Sequence, residues 1–234
     1  MIDIHSHILY SIDDGARNKD EAIQLLKKYE ELGFTEIILT PHYMENTEYE
    51  ATIETKNKLI NELQKETNIK LYIGNEVYFS DKTLELFNKN KISTLNNSKY
   101  MLIELPLSNK LKDLEEMIYD LTVSKIVPII AHPERYSYVQ ENINYLDNLK
   151  ELGVLFQINY GSLIGKYGKK CQKTAKKLLK KNYISFVGSD IHRIDRTIDI
   201  EESIKKLKKI VKKQEIVDDL TINNIKKVIE NKDI

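Results

Sequence analysis

The sequence predicts an α/β fold, and within that class a distorted (β/α)7 barrel of the TIM type. Short apolar runs rich in Ile, Val, Leu and Tyr alternate with helical patterns along the chain. There are seven such runs in 234 residues, and chains of about 200–250 residues commonly form a single α/β barrel. We therefore expect one domain over residues 1–234.

The strand predictions rest on the apolar runs, each of which is bounded by Gly, Pro, Asn or Ser. In chain order they are MIDIH, TEIILTPH, IKLYIGNEVYF, KYMLIELP, VPIIAHPE, GVLFQINYG and YISFVGSD. Their alternation with helices favours a closed barrel of parallel strands over an open sheet.

The first helix is the best defined, in NKDEAIQLLKKYEELG. Asn18 is its expected N-cap, Glu21 occupies the capping-box position, and Gly33 ends it. An apolar stripe lies between these signals. Apolar spacing predicts further helices over 48–66, 110–124, 139–151, 169–181, 201–213 and 221–231.

Composition excludes several classes of function. Lys plus Arg and Asp plus Glu both number 36, so no overall field favours nucleic acid or a membrane surface. No apolar stretch approaches the roughly 20 residues of a membrane span, and the Met1 end lacks the pattern of a signal peptide. We expect a cytoplasmic protein with no direct membrane insertion and no nucleic-acid partner.

The strand ends carry the residues capable of chemistry. In a (β/α) barrel, the carboxyl ends of the strands form one rim, and that rim holds the active site. All five histidines of the chain follow predicted strands, together with several carboxylates. The candidates are His5, His7, Asp14, His42, Glu76, Glu104, His132, Asp190 and His192.

These side chains are typical metal ligands. His5 and His7 project to the same side of a strand because residues i and i+2 share a face. Buried glutamates at positions 76 and 104 need a positive partner, and a metal ion would provide one. A site of His and Asp/Glu without Cys suits Mn²⁺, Fe²⁺ or Zn²⁺. Nine candidates exceed the needs of one ion, so two or three are expected.

Arginines near the rim suggest a phosphate. Arg135 follows His132 in HPER, and Arg193 and Arg196 follow SDIH. A guanidinium beside a metal cluster can bind phosphate through paired hydrogen bonds. Each of these arginines could instead form a surface salt bridge. We favour phosphate binding for Arg135, because its neighbours in the HPER loop are predicted to face the site.

Together, DIHSHIL…DDGA, TPHY, GNEVYF, IELP, AHPERY and GSDIH resemble the PHP (polymerase and histidinol phosphatase) superfamily, from Met1 to about Arg196. More narrowly, they resemble its bacterial metal-dependent protein-tyrosine phosphatases encoded with capsule and exopolysaccharide genes. The resemblance implies a PHP-type barrel holding three divalent ions, most often manganese, with iron or zinc as alternatives. The implied ligand sets are His5, His7, Glu76 and Asp190; Glu76, Glu104 and His132; and Asp14, His42 and His192.

The resemblance also implies the remaining roles. Arg135 matches the phosphate-binding arginine, and of the two later arginines we favour Arg196 over Arg193. His42 and His192 are further catalytic candidates, because either a protonated histidine on the rim or a metal-bound water could supply a proton to the leaving group. The implied substrate is phosphotyrosine on the tail of a membrane tyrosine kinase that controls capsule or exopolysaccharide synthesis. The sequence does not indicate the oligomeric state.

Some functions other than that of a metal-dependent tyrosine phosphatase stay open, and one is excluded. Another PHP phosphoesterase, such as a histidinol-phosphate phosphatase, would share the metal chemistry. A cysteine phosphatase is excluded because the single Cys171 lies in a helical pattern without a Cys-x5-Arg loop. Eight lysines between Lys166 and Lys181 indicate either a docking module or, as we favour, a solvated helix face. The fourteen tyrosines are expected mostly to fill the core or rim, and four beside the motifs are candidates to stack on an aryl phosphate: Tyr43, Tyr78, Tyr136 and Tyr160.

Overall fold

The computed structural model describes residues 1–196 and 198–234. Over these residues it contains nine strands, and every strand pair is parallel: β1 (Ile2–Asp3), β2 (Glu36–Leu39), β3 (His42–Tyr43), β4 (Lys70–Ile73), β5 (Glu76–Tyr78), β6 (Tyr100–Glu104), β7 (Val127–Ala131), β8 (Leu155–Asn159) and β9 (Phe186–Gly188). They form one sheet in the order β1-β2-β4 and another in the order β3-β5-β6-β7-β8-β9.

Two of the seven predicted runs each form two strands. Thr40 and Pro41 separate β2 from β3, where the proline lacks the N–H that a continuous ladder would need. Gly74 and Asn75 separate β4 from β5. A Cβ at position 74 would lie 2.7 Å from Leu95 Cδ2, so a larger residue here would require the buried Leu95 side chain to shift. Each run thus passes from the first sheet into the second.

Hydrogen bonds connect the two sheets into a closed ring. Ser6 forms a parallel bridge with Ile191, and the His7 amide donates to the Ile191 carbonyl at 2.8 Å. On the other side, the chain itself joins the sheets, because β2 continues into β3 and β4 continues into β5. The predicted distorted (β/α)7 barrel is therefore confirmed, with the distortion at the two interrupted runs.

Helices follow the strands around the barrel: α1 (Lys19–Glu31), α2 (Ile53–Leu63), α3 (Thr83–Asn88), α4 (Leu114–Val123), α5 (Ser137–Glu141), α6 (Asp147–Glu151), α7 (Tyr160–Leu163), α8 (Lys169–Lys180), α9 (Ile200–Val211), α10 (Gln214–Asp218) and α11 (Asn224–Ile229). The Asn18 side chain caps α1, and Gly33 follows its end with a φ of 79°, as predicted. None of the helices in the described residues has the length and apolar character needed to cross a bilayer.

The predicted helices differ from the structure in several places. The helices expected from residues 48 and 110 begin only at Ile53 and Leu114. The helix expected over 139–151 is divided into α5, a 3₁₀ turn and α6. The short helices α3 and α7 were not expected, since each has fewer residues than the spacing rule needs to detect. At the C-terminus, α10 continues through the π-helical segment Asp219–Asn223 into α11, so helix begins before residue 221.

The amino ends of the strands are closed by α11. Its Ile225 and Val228 are fully buried against Ile2, Tyr100 and Phe186 inside the barrel. Because apolar side chains fill this end, the polar rim at the opposite end is where a ligand can enter.

Candidate active site

The predicted rim residues converge at the carboxyl end of the barrel. His42 begins β3, Glu76 begins β5 and Glu104 ends β6, while the other candidates lie in the loops that directly follow strands. His132 and Asp190 have φ values of 33° and 53°, in the left-handed region that residues other than glycine seldom adopt. Such strain, of about 1–3 kcal/mol per residue, is characteristic of functional sites.

The innermost group contains His5, His7, Glu76 and Asp190, all buried. The Nε2 atoms of the two histidines are 3.1 Å apart. Glu76 Oε2 lies 3.2 Å from each of them, and Asp190 Oδ1 lies 3.5 Å from each. Four ligand atoms therefore surround one small space.

The orientation of the two imidazoles fits a cation in this space. His5 Nδ1 lies 2.8 Å from Gln157 Oε1, and His7 Nδ1 lies 2.8 Å from Asp13 Oδ2. Both partners are acceptors, so each Nδ1 carries the proton and, in the neutral rings, the two Nε2 lone pairs face each other. Glu76 Oε2 is buried and accepts no hydrogen bond from the described residues. A divalent ion would satisfy all three atoms.

The pKa values indicate the same demand for positive charge. Burial lowers the pKa of His5, but the carboxylates of Glu76 and Asp190 more than offset it and raise the value to about 9. Burial and the neighbouring Glu76 charge raise the pKa of Glu104 to about 8. Several anionic groups are thus held together with too few protein cations to neutralise them.

Glu76 also connects this group to a second one. Its Oε2 lies 3.1 Å from His42 Nδ1, and with Glu104 these residues form another set of potential ligands. His132 is adjacent, since its Nε2 lies 3.0 Å from Glu76 Oε1 and 3.6 Å from Glu104 Oε1.

A third group lies nearer to solvent. Asp14 Oδ1 is 3.5 Å from His42 Nε2 and 3.4 Å from His192 Nε2. The rings of His7 and His192 stack with centroids 4.0 Å apart, and His7 completes this set. The nine predicted ligands are therefore brought together, and His7 and His42 each belong to two groups.

A cavity of about 230 Å³ opens over these groups. On one side its wall is formed by Arg135, Lys166, Tyr167 and Arg196. The guanidinium of Arg135 lies 5.0 Å from the centre of the Tyr167 ring, and its Nη1 donates to Asp190 Oδ2 at 3.0 Å. The other arginine in question, Arg193, has its Nε 3.7 Å from Asp195. The cavity thus has anionic groups at its base and cations on its wall.

Sequence reasoning missed the residues that orient the ligands. Asp13 lies beside the predicted Asp14, and its Oδ2 accepts from His7. Asn159 Nδ2 donates to Asp190 Oδ2 at 2.6 Å, and Gln157 Nε2 donates to Asn159 Oδ1 at 2.9 Å. Gln157 and Asn159 share the i, i+2 spacing of His5 and His7 at the end of another strand. That spacing was the available signal.

Lys166 and Tyr167 were also missed. They lie in the loop after α7, which follows the one predicted strand whose end contributed no metal-ligand or arginine candidate. Of the four tyrosines considered as candidates to stack on a substrate, Tyr136 and Tyr160 are fully buried and Tyr43 is 3% exposed. These three are excluded as stacking residues and belong to the core, where we expected most tyrosines to lie. Tyr78 is partly exposed and stays a candidate.

Cys171 does not line the cavity, so it is not placed to act as a nucleophile. It is buried in α8, where its Sγ lies 3.3 Å from Ser162 Oγ. Burial raises the pKa of its thiol to about 12. A neutral, buried thiol agrees with the prediction that cysteine chemistry plays no part.

Comparisons with known proteins give a consistent result. The family model described as "Capsular polysaccharide synthesis, CpsB/CapC" matches residues 1–230. The chain is 36% identical over 199 residues to CapC of Staphylococcus aureus, covering 83% of this chain and 78% of that protein. It is 35% identical over 215 residues to the tyrosine-protein phosphatase YwqE of Bacillus subtilis, covering 89% of this chain and 84% of that protein.

Solved structures extend this result. A structure from a study of YwqE from Bacillus subtilis and CpsB from Streptococcus pneumoniae, described as unique metal-dependent tyrosine phosphatases, superposes with a TM-score of 0.90 at 32% identity, over 100% of this chain and 96% of that one. Histidinol phosphate phosphatase from Lactococcus lactis superposes with a TM-score of 0.59 at 17% identity, over 91% and 94%, a likeness of fold alone.

Proposed function

The chain belongs to the capsular polysaccharide synthesis CpsB/CapC family, and on that premise we propose how its site works as a metal-dependent protein-tyrosine phosphatase. The observation that carries this function is the cluster of His and carboxylate groups beneath a cavity walled by cations. A histidinol-phosphate phosphatase is the weaker alternative, because its likeness is one of fold only.

The residues present fit a group of three divalent ions, of which manganese is our first choice. His5, His7, Glu76 and Asp190 would hold the first ion, and Glu76, Glu104 and His132 the second. Asp14, His42 and His192 would hold the third. When bound, such ions act as Lewis acids toward a phosphoryl group and make water a strong nucleophile near neutral pH.

The protein's own groups would bind and orient the phosphate. Arg135, Lys166 and Arg196 offer positive charge on the cavity wall, where the phosphoryl oxygens gain charge during hydrolysis. Asn159 donates a hydrogen bond to Asp190, and Asp13 accepts one from His7. These bonds fix the orientation of the two metal ligands before substrate binds.

Proton transfer to the leaving group is a lesser need. A tyrosine phenolate has a pKa of about 10, so it leaves with less help than an alkoxide. His42 and His192 are 18% and 17% exposed, so substrate can approach both. Both ring nitrogens of His42 and both of His192 face carboxylates, which favours metal binding over proton transfer for both residues.

The proposed natural substrate is the phosphotyrosine tail of a membrane tyrosine kinase that controls capsule or exopolysaccharide synthesis, and its site of action is the cytoplasm. The family description supports the link to capsule synthesis. We also propose that residues 1–234 form one phosphatase domain. A core that joins Ile8 and Leu25 to Leu207 and Val217 supports this proposal.

A substrate comparison tests the function. The manganese-loaded protein should hydrolyse a phosphotyrosine peptide with a higher kcat/KM than either a matched phosphoserine peptide or L-histidinol phosphate. The variant Cys171→Ser should retain this activity, because the thiol has no role. Preference for histidinol phosphate would support the alternative enzyme, and inactivity toward all three would contradict a phosphatase.

A further inference from the structure

A groove between α8 and α9 concentrates positive charge on a chain whose net charge is zero. Its volume is about 540 Å³, and Leu163, Gln172 and Ile210 contribute to its walls. The remaining lining residues are all lysines: Lys173, Lys176, Lys180, Lys206, Lys209 and Lys212. Within the described part of the chain, no carboxylate lines this groove.

The lysines follow helical spacing on both sides. Lys173, Lys176 and Lys180 share one face of α8, because they are three and four residues apart. Lys206 and Lys209 are likewise three apart on α9. Lys206 has a nearby carboxylate, Glu202 Oε1 at 3.3 Å.

Solvation of the helices does not explain this arrangement. A solvated lysine can point anywhere on an exposed face, whereas these lysines from two different helices face one concavity. Like charges across a groove repel one another and weaken the packed structure slightly. An anionic occupant would reverse that effect.

The groove and the catalytic cavity adjoin the same short segment. Lys166 and Tyr167 line the cavity, while Leu163 and Gln172, at either end of this segment, line the groove. Gln172 Nε2 donates to the Leu163 carbonyl at 2.9 Å, which ties the start of α8 to the end of α7. A chain leaving the cavity reaches the groove by crossing residues 164–168.

We propose that the groove binds an acidic segment of the protein substrate, separate from the phosphotyrosine that is hydrolysed. A concave surface between two helices fits an extended peptide better than a flat bilayer. This proposal rests on the proposed phosphatase function, because binding of the phosphotyrosine in the cavity brings the acidic segment to the groove. Its contribution is to affinity and association rate, which charge complementarity increases and salt decreases.

The test neutralises two groove lysines, Lys176→Gln with Lys209→Gln. The matched control is Lys177→Gln with Lys208→Gln, which changes exposed lysines on the same two helices that do not line the groove. Three probes are used at low salt. Hydrolysis is measured with a phosphotyrosine peptide that carries a run of glutamates and with para-nitrophenyl phosphate. Binding of the same acidic peptide with unmodified tyrosine is measured by fluorescence anisotropy.

The groove variant should raise KM for the acidic phosphopeptide about three- to tenfold with kcat unchanged, since each exposed charge pair contributes modestly. It should weaken binding of the unmodified acidic peptide similarly and leave para-nitrophenyl phosphate hydrolysis unchanged. The control variant should behave like the wild type.

Equal effects of the two double variants would overturn the proposal, as would an unchanged KM for the acidic phosphopeptide. Weaker binding to phosphatidylglycerol vesicles without any effect on the peptide would overturn it in favour of a membrane surface. If the wild type hydrolyses neither phosphate substrate, the phosphatase function fails. Anisotropy with the unmodified peptide still decides whether the groove binds acidic chains.

Discussion

Arg135 is the residue that we propose as the main phosphate ligand. It lies on the cavity wall, and its contact with Asp190 holds the guanidinium over the metal-ligand cluster. Asp190 Oδ2 keeps a second donor, Asn159 Nδ2, if this arginine is removed. We therefore expect the arginine to be dispensable for holding Asp190 in place but needed for neutralising phosphate.

Arg135→Ala should lower kcat/KM on a phosphotyrosine peptide by about a hundredfold to a thousandfold, the usual cost of one charge-stabilising donor. Metal content and melting temperature should stay near the wild-type values. Arg135→Lys should restore activity only in part, because an ammonium cannot make the bidentate contact. Loss of metal or unfolding, with unchanged activity in the intact fraction, would make this residue a structural ion pair.

Lys56 should make stability depend on pH in the alkaline range. It is fully buried in α2, and its Nζ donates to Asn75 Oδ1 and Ser93 Oγ. Burial lowers the pKa of its ammonium from 10.5 to about 8. Because the unfolded chain binds the more protons between these values, the free energy of unfolding should rise as pH increases from 8 to 10.5.

Urea denaturation across this pH range measures the effect, with Lys56→Met as the reference. The wild type should gain stability relative to the variant as pH rises, because only the wild type loses a buried charge. Parallel pH profiles for the two proteins would show that Lys56 is already neutral, or is solvated, in the folded state.

The site residues that could be predicted from the sequence differ from the others in charge and in position. His and carboxylate groups at strand ends were detectable, because they are expensive to bury without a partner. Gln157 and Asn159 are uncharged amides, and their roles appear only once β8 is placed beside β9 and His5. Lys166 and Tyr167 reach the cavity from a loop, which no periodicity predicts.

Among the elements, α11 should contribute to stability through its buried apolar face. It closes the amino end of the barrel, and its last carbonyl accepts from Asn96 Nδ2 at 3.0 Å. Ile225→Ala should cost about 2–5 kcal/mol in urea unfolding, as expected for a large-to-small change in a packed core. The exposed neighbour is the control, and Lys226→Ala should change stability by no more than about 0.5 kcal/mol.

Activity per folded molecule should be unaffected by Ile225→Ala, since the metal-ligand cluster lies at the opposite end of the barrel. A cost equal to that of the control would mean that α11 is not part of the core. A loss of activity in fully folded protein would mean that the two ends are coupled.

The elements predicted from the sequence were those with strong local signals. The α1 prediction succeeded because cap, apolar stripe and terminal glycine all agree. The division of two runs into β2 with β3 and β4 with β5 was not predictable, because it reflects how the strands turn between sheets. The helix expected over 139–151 is interrupted at Asn142, whose side chain accepts from the Asn144 amide instead of continuing the helix.

Across the whole molecule, charge is balanced in number but not in position. Carboxylates cluster with histidines at the rim, whereas six lysines line the groove between α8 and α9. Helical spacing alone favours a solvated face for the lysines near α8. Charge counts and helical spacing could not reveal the groove, because Lys206, Lys209 and Lys212 lie in or just after a helix about 30 residues later in the chain.

Metal binding should also affect the stability of the whole fold. Residues from β3, β5, β6 and from loops after three other strands meet in the ligand groups, so ions that bind only the folded chain stabilise the barrel by mass action. Chelation should therefore lower the melting temperature as well as activity, and manganese should restore both. Chelation that abolishes activity without any change in melting temperature would indicate weakly held ions.

The decisive measurement is the number of ions per chain in purified, active protein, by elemental analysis, together with activity on a phosphotyrosine peptide as metal is returned to chelated protein. We expect at least two ions per chain, and three at full occupancy, with activity returning only as the ligand groups fill. Glu104→Ala should bind fewer ions and be inactive. Full activity in protein that holds one ion or none would contradict the multi-metal phosphatase.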